Sequence, residues 1–341
     1  MIRDARALQP GWTPNDLVHR HGDIEHLSSC LQPIENDFPG EDVLITGPSG
    51  AGKTTLARYV TTQLQRETLG VQVGEVSCMS DSSQHAGLHA LVRDLGLGLD
   101  LARDGTATST YLDRLRDADD QLVLILDEIA SLAEPELVGS LHHIPHVTTI
   151  MICVDETDLR ADVDARIDDR LRAAASVHLD AYSTSELVDI IEARADHGLT
   201  RSLGSATAER IASHAGGSAR QAIAILRQGA MQAQQSDVGL SPGLVDDVVD
   251  DAEVDVRERT VSQLSSHHRL LLDVIREHGE VSAGLLRDVY ETRAQSPKSE
   301  ATRRRYLNAL ERYGLIDSEG ATRDRTYICL DFETPDAHAS P

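Results

Sequence analysis

Lysine is nearly absent from this chain: of 341 residues only Lys53 and Lys298 are lysine, and the other basic side chains are arginine. Aromatic residues make up 3%, with two phenylalanines and one tryptophan, so any core must be built mainly from Leu, Val, Ile and Ala. Cysteine occurs four times, at Cys30, Cys78, Cys153 and Cys329, and never as a C-x-x-C pair. That scatter argues against a zinc ribbon and a disulfide framework and predicts reduced, partly buried thiols. There is no run of about 18 apolar residues and no basic-then-apolar start, so no membrane span or secretory leader is predicted and a cytoplasmic location is expected. The densest histidine group, His142, His143 and His146, has no carboxylate or cysteine placed to complete a site, so no metal is expected there.

What the chain has in excess is acid, with a formal net charge of −24. Its length suits two or three domains, and its 40% hydrophobic content supports ordinary buried cores. An acidic excess argues against nucleic acid as a partner. Together with scarce lysine, however, it is also what a salt-saturated, halophilic cytoplasm favours, because a Debye length of ~3 Å at about 1 M salt screens the self-repulsion. On this reading the acidity reflects habitat, and local basic clusters say more about partners than the total does.

One of the two lysines lies in Gly47-Pro48-Ser49-Gly50-Ala51-Gly52-Lys53-Thr54, a complete G-x-x-x-x-G-K-[ST] phosphate-binding loop. The apolar run 42–46 before it suits a buried parallel strand, and 54–65 after it has helical spacing at Leu56, Ala57, Val60 and Leu64. Backbone N–H groups of such a loop surround the β-phosphate, Lys53 reaches the β- and γ-phosphates, and the Thr54 hydroxyl ligates Mg²⁺. The loop from Gly47 to Thr54, with Thr55 following, is therefore the expected ATP/ADP site. A second apolar strand, 122–126, ends in Asp127 and Glu128, which puts both carboxylates at the sheet edge where open α/β folds bind ligands. Asp127 is the expected Mg²⁺ ligand and Glu128 the general base for the attacking water.

Apolar runs at 71–78, 122–126, 148–154 and 177–179 alternate with helical or polar stretches, which predicts an α/β fold with a mainly parallel sheet. From residue 183 strands disappear and helical patterns run over 184–195, 206–215, 219–233 and 243–259. Near 261 a third unit begins, with helices over 267–276, 282–290 and 299–312 and then a hairpin about Gly320, the pattern of a winged helix. The expected division is a nucleotide-binding domain over 1–182, a helical lid over 183–259, a winged-helix domain over 260–332 and a disordered tail over 333–341.

Over nearly its whole length the chain resembles the archaeal initiator family of AAA+ ATPases, akin to origin-recognition-complex and cell-division-control proteins. His19-Arg20-His21 is similar to that family's His-Arg-Glu segment near the adenine, with His21 in place of Glu. Val76-Ser77-Cys78, Asp164-Ala165-Arg166-Ile167 and Leu179-Asp180-Ala181-Tyr182 match further boxes, and Gly217-Ser218-Ala219-Arg220-Gln221-Ala222 looks like its Gly-Asp-Ala-Arg-Gln-Ala helix start. The resemblance implies an AAA+ core with a parallel sheet, a lid and a C-terminal winged helix, and places Arg20 and Tyr182 with the nucleotide. It makes Arg220 the lid arginine that reaches the γ-phosphate. It leaves Arg166 and Arg170 as alternatives for the arginine finger, with Arg166 preferred over an internal ion pair to Asp168 or Asp169. Where the family usually has Asn at the end of the fourth strand this chain has Asp155, whose charge beside a γ-phosphate predicts slow, switch-like hydrolysis. Thr157 is the alternative polar contact there.

In the last unit Arg303, Arg304 and Arg305 on the third helix and Arg323 and Arg325 on the wing are the expected DNA contacts, because the third helix of a winged helix enters the major groove while the wing follows phosphates. The function implied is an ATP-dependent DNA-binding protein that recognises replication origins, with double-stranded DNA, a replicative helicase and neighbouring initiator subunits as partners. Two alternatives stay open: an ATP-gated winged-helix regulator at promoters, and a plasmid-type paralogue that binds DNA without loading a helicase.

Overall fold

The computed structural model describes residues 1–14, 16–160, 163–320 and 325–330. Arg323 and the tail 333–341 lie outside the described residues. The chain divides into two compact units, one over Met1–Val256 and a second beginning at Arg257.

The first unit is built on β1 (Val43–Thr46), β2 (Val71–Ser77), β3 (Gln121–Asp127), β4 (Val147–Ile152) and β5 (Ala175–His178), in the spatial order β2-β3-β4-β1-β5. Every pairing is parallel. Parallel strands need helical crossovers, so helices cover both faces and the strands read as continuous apolar runs. β3 shows the consequence: Leu122, Leu124 and Leu126 enter one buried cluster with the helix Gln84–Asp94, while Val123 and Ile125 enter another with the helices His21–Leu31 and Lys53–Glu67. Successive side chains leave a strand on opposite faces, so this five-residue apolar run serves both layers.

The unit is completed by the lid helices Thr184–Gly198, Ser205–Ala215, Ala219–Gln235 and Pro242–Gln263. The first starts at a capping box in which the Ser183 side chain accepts from the Glu186 N–H and the Glu186 carboxylate accepts from the Ser183 N–H. Small and branched residues close the lid core, among them Leu187, Ile191, Ala208, Ile211, Ala222 and Ile225. The boundary between the two units falls inside the last of these helices.

The second unit holds the helices Ser266–His278, Ala283–Arg293 and Glu300–Arg312, and three antiparallel strands, β6 (Glu280–Ser282), β7 (Ile316–Glu319) and β8 (Thr326–Cys329), ordered β6-β8-β7. Three helices with a three-stranded antiparallel sheet fit the expected winged helix. β6 was not foreseen because in three residues only Val281 is apolar and buried, too short a pattern to register as a strand. In its core His268 is fully buried, with its Nδ1 2.7 Å from the Ser265 hydroxyl and its ring 4.1 Å from that of Tyr306. Burial pushes its pKa down to about 3, so it is neutral at physiological pH.

Candidate nucleotide site and basic surface

The phosphate loop joins β1, an interior strand, to the helix Lys53–Glu67, with Gly52 as N-cap at φ +91°. Gly50 stands at φ +80°, and a Cβ added there would lie 2.1 Å from the Ser218 hydroxyl, so glycine admits both the turn and the close approach of the lid. The Lys53 ammonium is held inside the loop, donating to the carbonyls of Gly47 at 2.7 Å and Pro48 at 2.9 Å. Burial lowers its pKa, while the charges of Glu128 and Asp127 act in the opposite direction. Opposite the loop, the Thr54 hydroxyl donates to Asp127 Oδ2 at 2.8 Å. Burial, and then the neighbouring charge of Glu128, push Asp127 up to about 6. The Glu128 N–H donates to Asp127 Oδ1 at 3.0 Å, and Glu128 itself adopts φ +55°, a left-handed conformation uncommon for a side-chain-bearing residue. Open α/β sheets bind ligands at such C-terminal strand ends.

The lid closes this site from one side. The Ala219 N–H donates to the Gly50 carbonyl at 3.1 Å, and Arg220 Nη1 donates to the Ser49 hydroxyl at 3.3 Å. Arg20 and Tyr182 meet behind the loop, with the guanidinium carbon 4.2 Å from the ring centroid. Sequence reading did not foresee the contact between Ser218 and Gly50, although Ser218 lies inside the quoted lid motif.

Asp155 lies three residues beyond the end of β4 and is exposed; it accepts from the Thr157 N–H at 2.8 Å and the Thr157 hydroxyl at 2.7 Å. The two alternatives for the polar contact are thus hydrogen-bonded to each other. Arg166 is exposed on the first turn of the helix Ala165–Ala173. Asp168 pairs with Arg160 at 2.6 Å and Arg172 at 2.9 Å, and among the described residues no ion pair to Arg166 is formed. Arg170 is engaged, donating to the Gly139 carbonyl at 2.8 Å. His142, His143 and His146 turn to separate partners, Asp42, Arg170 and the Leu115 carbonyl, and no group of metal-holding side chains occurs among the described residues. Among the described residues no disulfide joins the four cysteines; Cys329 is half-buried and the rest are buried.

In the second unit the three consecutive arginines differ. Arg303 donates to Glu291 at 2.9 Å and to the Lys298 carbonyl at 3.0 Å, and its guanidinium carbon lies 5.6 Å from the Tyr290 ring centroid. Arg304 is exposed and Arg305 half-buried. Arg325 is half-buried beside the Tyr327 ring.

The residues fit a nucleotide with a divalent cation: Gly50 and Gly52 hold the positive φ that turns the loop N–H groups inward, and Thr54 and Asp127, an oxygen pair suited to a hard cation, already touch. Fold and site together define an AAA-type ATPase, and the AAA domain family matches residues 42–161. The chain is 36% identical over 338 residues to ORC1-type DNA replication protein 9 of Halobacterium salinarum, covering 98% of this chain and 96% of that one. It belongs to the family of ORC1-type DNA replication proteins. Among solved structures, the Aeropyrum pernix ORC1 protein in complex with DNA matches with TM-score 0.72 at 22% identity, over 96% of this chain and 92% of that one. The ADPNP-ADP complexes of the Aeropyrum pernix ORC2 protein match with TM-score 0.65 at 24% identity, over 96% and 94%. No helix among the described residues is long and apolar enough to cross a membrane.

Proposed function

We propose that this chain is an ATP-switched DNA-binding initiator that recognises replication origins and helps to recruit the replicative helicase, working in a halophilic cytoplasm. The observation that carries the reading is the convergence of three separate segments on one loop: Lys53 within it, Asp127 bonded to Thr54 from the strand end, and Arg220 reaching Ser49 from the lid. A phosphate chain bound there is recognised by the loop N–H groups, the Lys53 ammonium and the Arg220 guanidinium. Thr54 and Asp127 would hold Mg²⁺, which neutralises charge on the β- and γ-phosphates when bound. Glu128 takes the proton of the attacking water, and Arg166, exposed and with no ion pair among the described residues, completes the site of a neighbouring subunit.

The domain division that accompanies this reading is 1–182, 183–259 and 260–332. Within the last, Arg304, Arg305, Arg323 and Arg325 meet DNA; the Aeropyrum pernix ORC1 protein, of similar fold, is itself solved in complex with DNA. In concentrated salt counterion release contributes little, so affinity leans on bidentate arginine contacts and DNA shape. Turnover is slow because the Asp155 carboxylate disfavours a γ-phosphate beside it. Footprinting genomic DNA bound to the full chain, with and without ATP, tests the function: ATP-dependent protection at origin-like repeats supports it, and protection confined to promoters supports a regulator instead.

A further inference from the structure

The N-terminal residues are bound to the lid rather than to the sheet that follows them in sequence. Ile2 bridges Leu199, the N–H groups of Arg3 and Asp4 donate to the Gly198 carbonyl at 2.7 and 3.1 Å, and Leu8 is part of the lid core. Arg194, on the first lid helix, is 6% exposed, and among the described residues no carboxylate pairs with it. It donates instead to the carbonyls of Ala7 at 2.9 Å, Gln9 at 3.1 Å and Trp12 at 2.9 Å, with its guanidinium carbon 4.6 Å from the Trp12 ring centroid. One planar, multiply donating cation thereby dictates the course of the arm.

The chain then crosses to the sheet, where Leu17 is buried against the phosphate-loop side. His19 Nε2 stays 2.8 Å from Asp189 Oδ2 on the lid helix. The next residue, Arg20, is 9% exposed and touches both parts. Its Nη2 donates to the Ala51 carbonyl of the phosphate loop at 3.0 Å and to the Asp180 carbonyl at 2.7 Å, and its Nε donates to the Tyr182 hydroxyl at 3.3 Å. Asp180 and Tyr182 lie in the short link between β5 and the first lid helix, the place where a lid must hinge.

We propose that residues 1–20 form a strap that carries lid position to the phosphate loop, with Arg20 as the positioning residue at its end. Arg20 acts through the Ala51 peptide: it holds the loop backbone in phosphate-binding geometry only while the lid link lies against the same guanidinium. The proposal rests on the nucleotide-binding reading above. Linkage makes the coupling reciprocal, so whatever the strap adds to nucleotide affinity the nucleotide must return as order in the strap.

The test is amide hydrogen exchange of the full chain, with and without Mg²⁺ and a non-hydrolysable ATP analogue, alongside analogue affinity for Arg20→Gln, Arg20→Lys and Arg194→Gln. In the parent protein the analogue should slow exchange at Arg3 and Asp4. Arg20→Gln and Arg194→Gln should each weaken binding on the order of tenfold and remove that protection. Arg20→Lys, with charge but one donor nitrogen, should fall between. If Arg20→Gln does not fold, the other two variants decide. Unchanged strap exchange in a parent protein that binds the analogue, or folded variants that bind it as the parent does, would overturn the strap. Failure of the parent protein itself to bind would overturn the nucleotide reading instead.

Discussion

At the phosphate loop a single lysine is placed by the loop that carries it, whereas on the helix Glu300–Arg312 three consecutive arginines meet three different environments. The loop is held by its own backbone: Lys53 donates to Gly47 and Pro48, six and five residues away. On a helix successive residues point about 100° apart. Arg303 therefore turns inward to Glu291 and Tyr290, while Arg304 faces solvent. A short loop fixes its side chains by local geometry, and a basic helix leaves that decision to whatever packs beside it.

The comparison breaks first at Lys53. Lys53→Ala should reduce ATP affinity by about 100-fold or more, since the lost ammonium makes charge-assisted contacts to phosphate, while the fold survives. Equilibrium binding with a fluorescent ATP analogue measures it, and near-parent affinity would refute the loop as the site.

On the helix, Arg304→Ala with Arg305→Ala should abolish specific DNA retention in a gel-shift experiment, and the exposed Arg304→Ala alone should leave thermal stability nearly unchanged. Arg303→Ala should do the reverse, costing about 1–2 kcal/mol of stability because Glu291 and the Lys298 carbonyl lose their donor. If Arg303→Ala matched the double variant on DNA and melted like the parent protein, the distinction drawn between these arginines would be wrong.

A smaller effect is expected at Asp127. Its folded pKa of about 6 lies above the ordinary carboxylate value, so its contribution to stability is fully present below about pH 4 and is lost as the pH rises through about 6. Above that pH, without Mg²⁺, Asp127→Asn should stabilise the protein by about 1–3 kcal/mol. Adding Mg²⁺ and ATP should then stabilise the parent protein more than the variant. Denaturant melts at pH 5 and pH 8 check both signs.

The smallest change should come from Asp155→Asn, which removes the charge proposed to oppose the γ-phosphate and should raise single-turnover hydrolysis a few-fold. An unchanged or lower rate means that its bond to Thr157 already turns the carboxylate away.

Much of the architecture was legible because it repeats locally. Strands β1 to β5 were visible as apolar runs, and the lid and C-terminal helices through their spacing. The phosphate loop and the Asp127-Glu128 strand end were readable as motifs. Strand β6 was not, having one apolar residue to signal it. Nor were the partners of Asp168, because several arginines lie within reach in sequence and only the folded chain selects Arg160 and Arg172.

By itself, then, the sequence determined a phosphate-binding loop between a strand and a helix, a sheet buried on both faces, a helical lid and a winged helix, since each follows from backbone preference and hydrophobic period over a few residues. Only the tertiary structure decided that Arg303 belongs to the fold while Arg304 is offered outward, and that the N-terminal arm belongs to the lid. Those outcomes hang on polar side chains whose partners are remote in sequence. The Arg194 guanidinium and the Ala7 carbonyl are 187 residues apart. No periodicity records such a contact, because it forms only after the elements have packed.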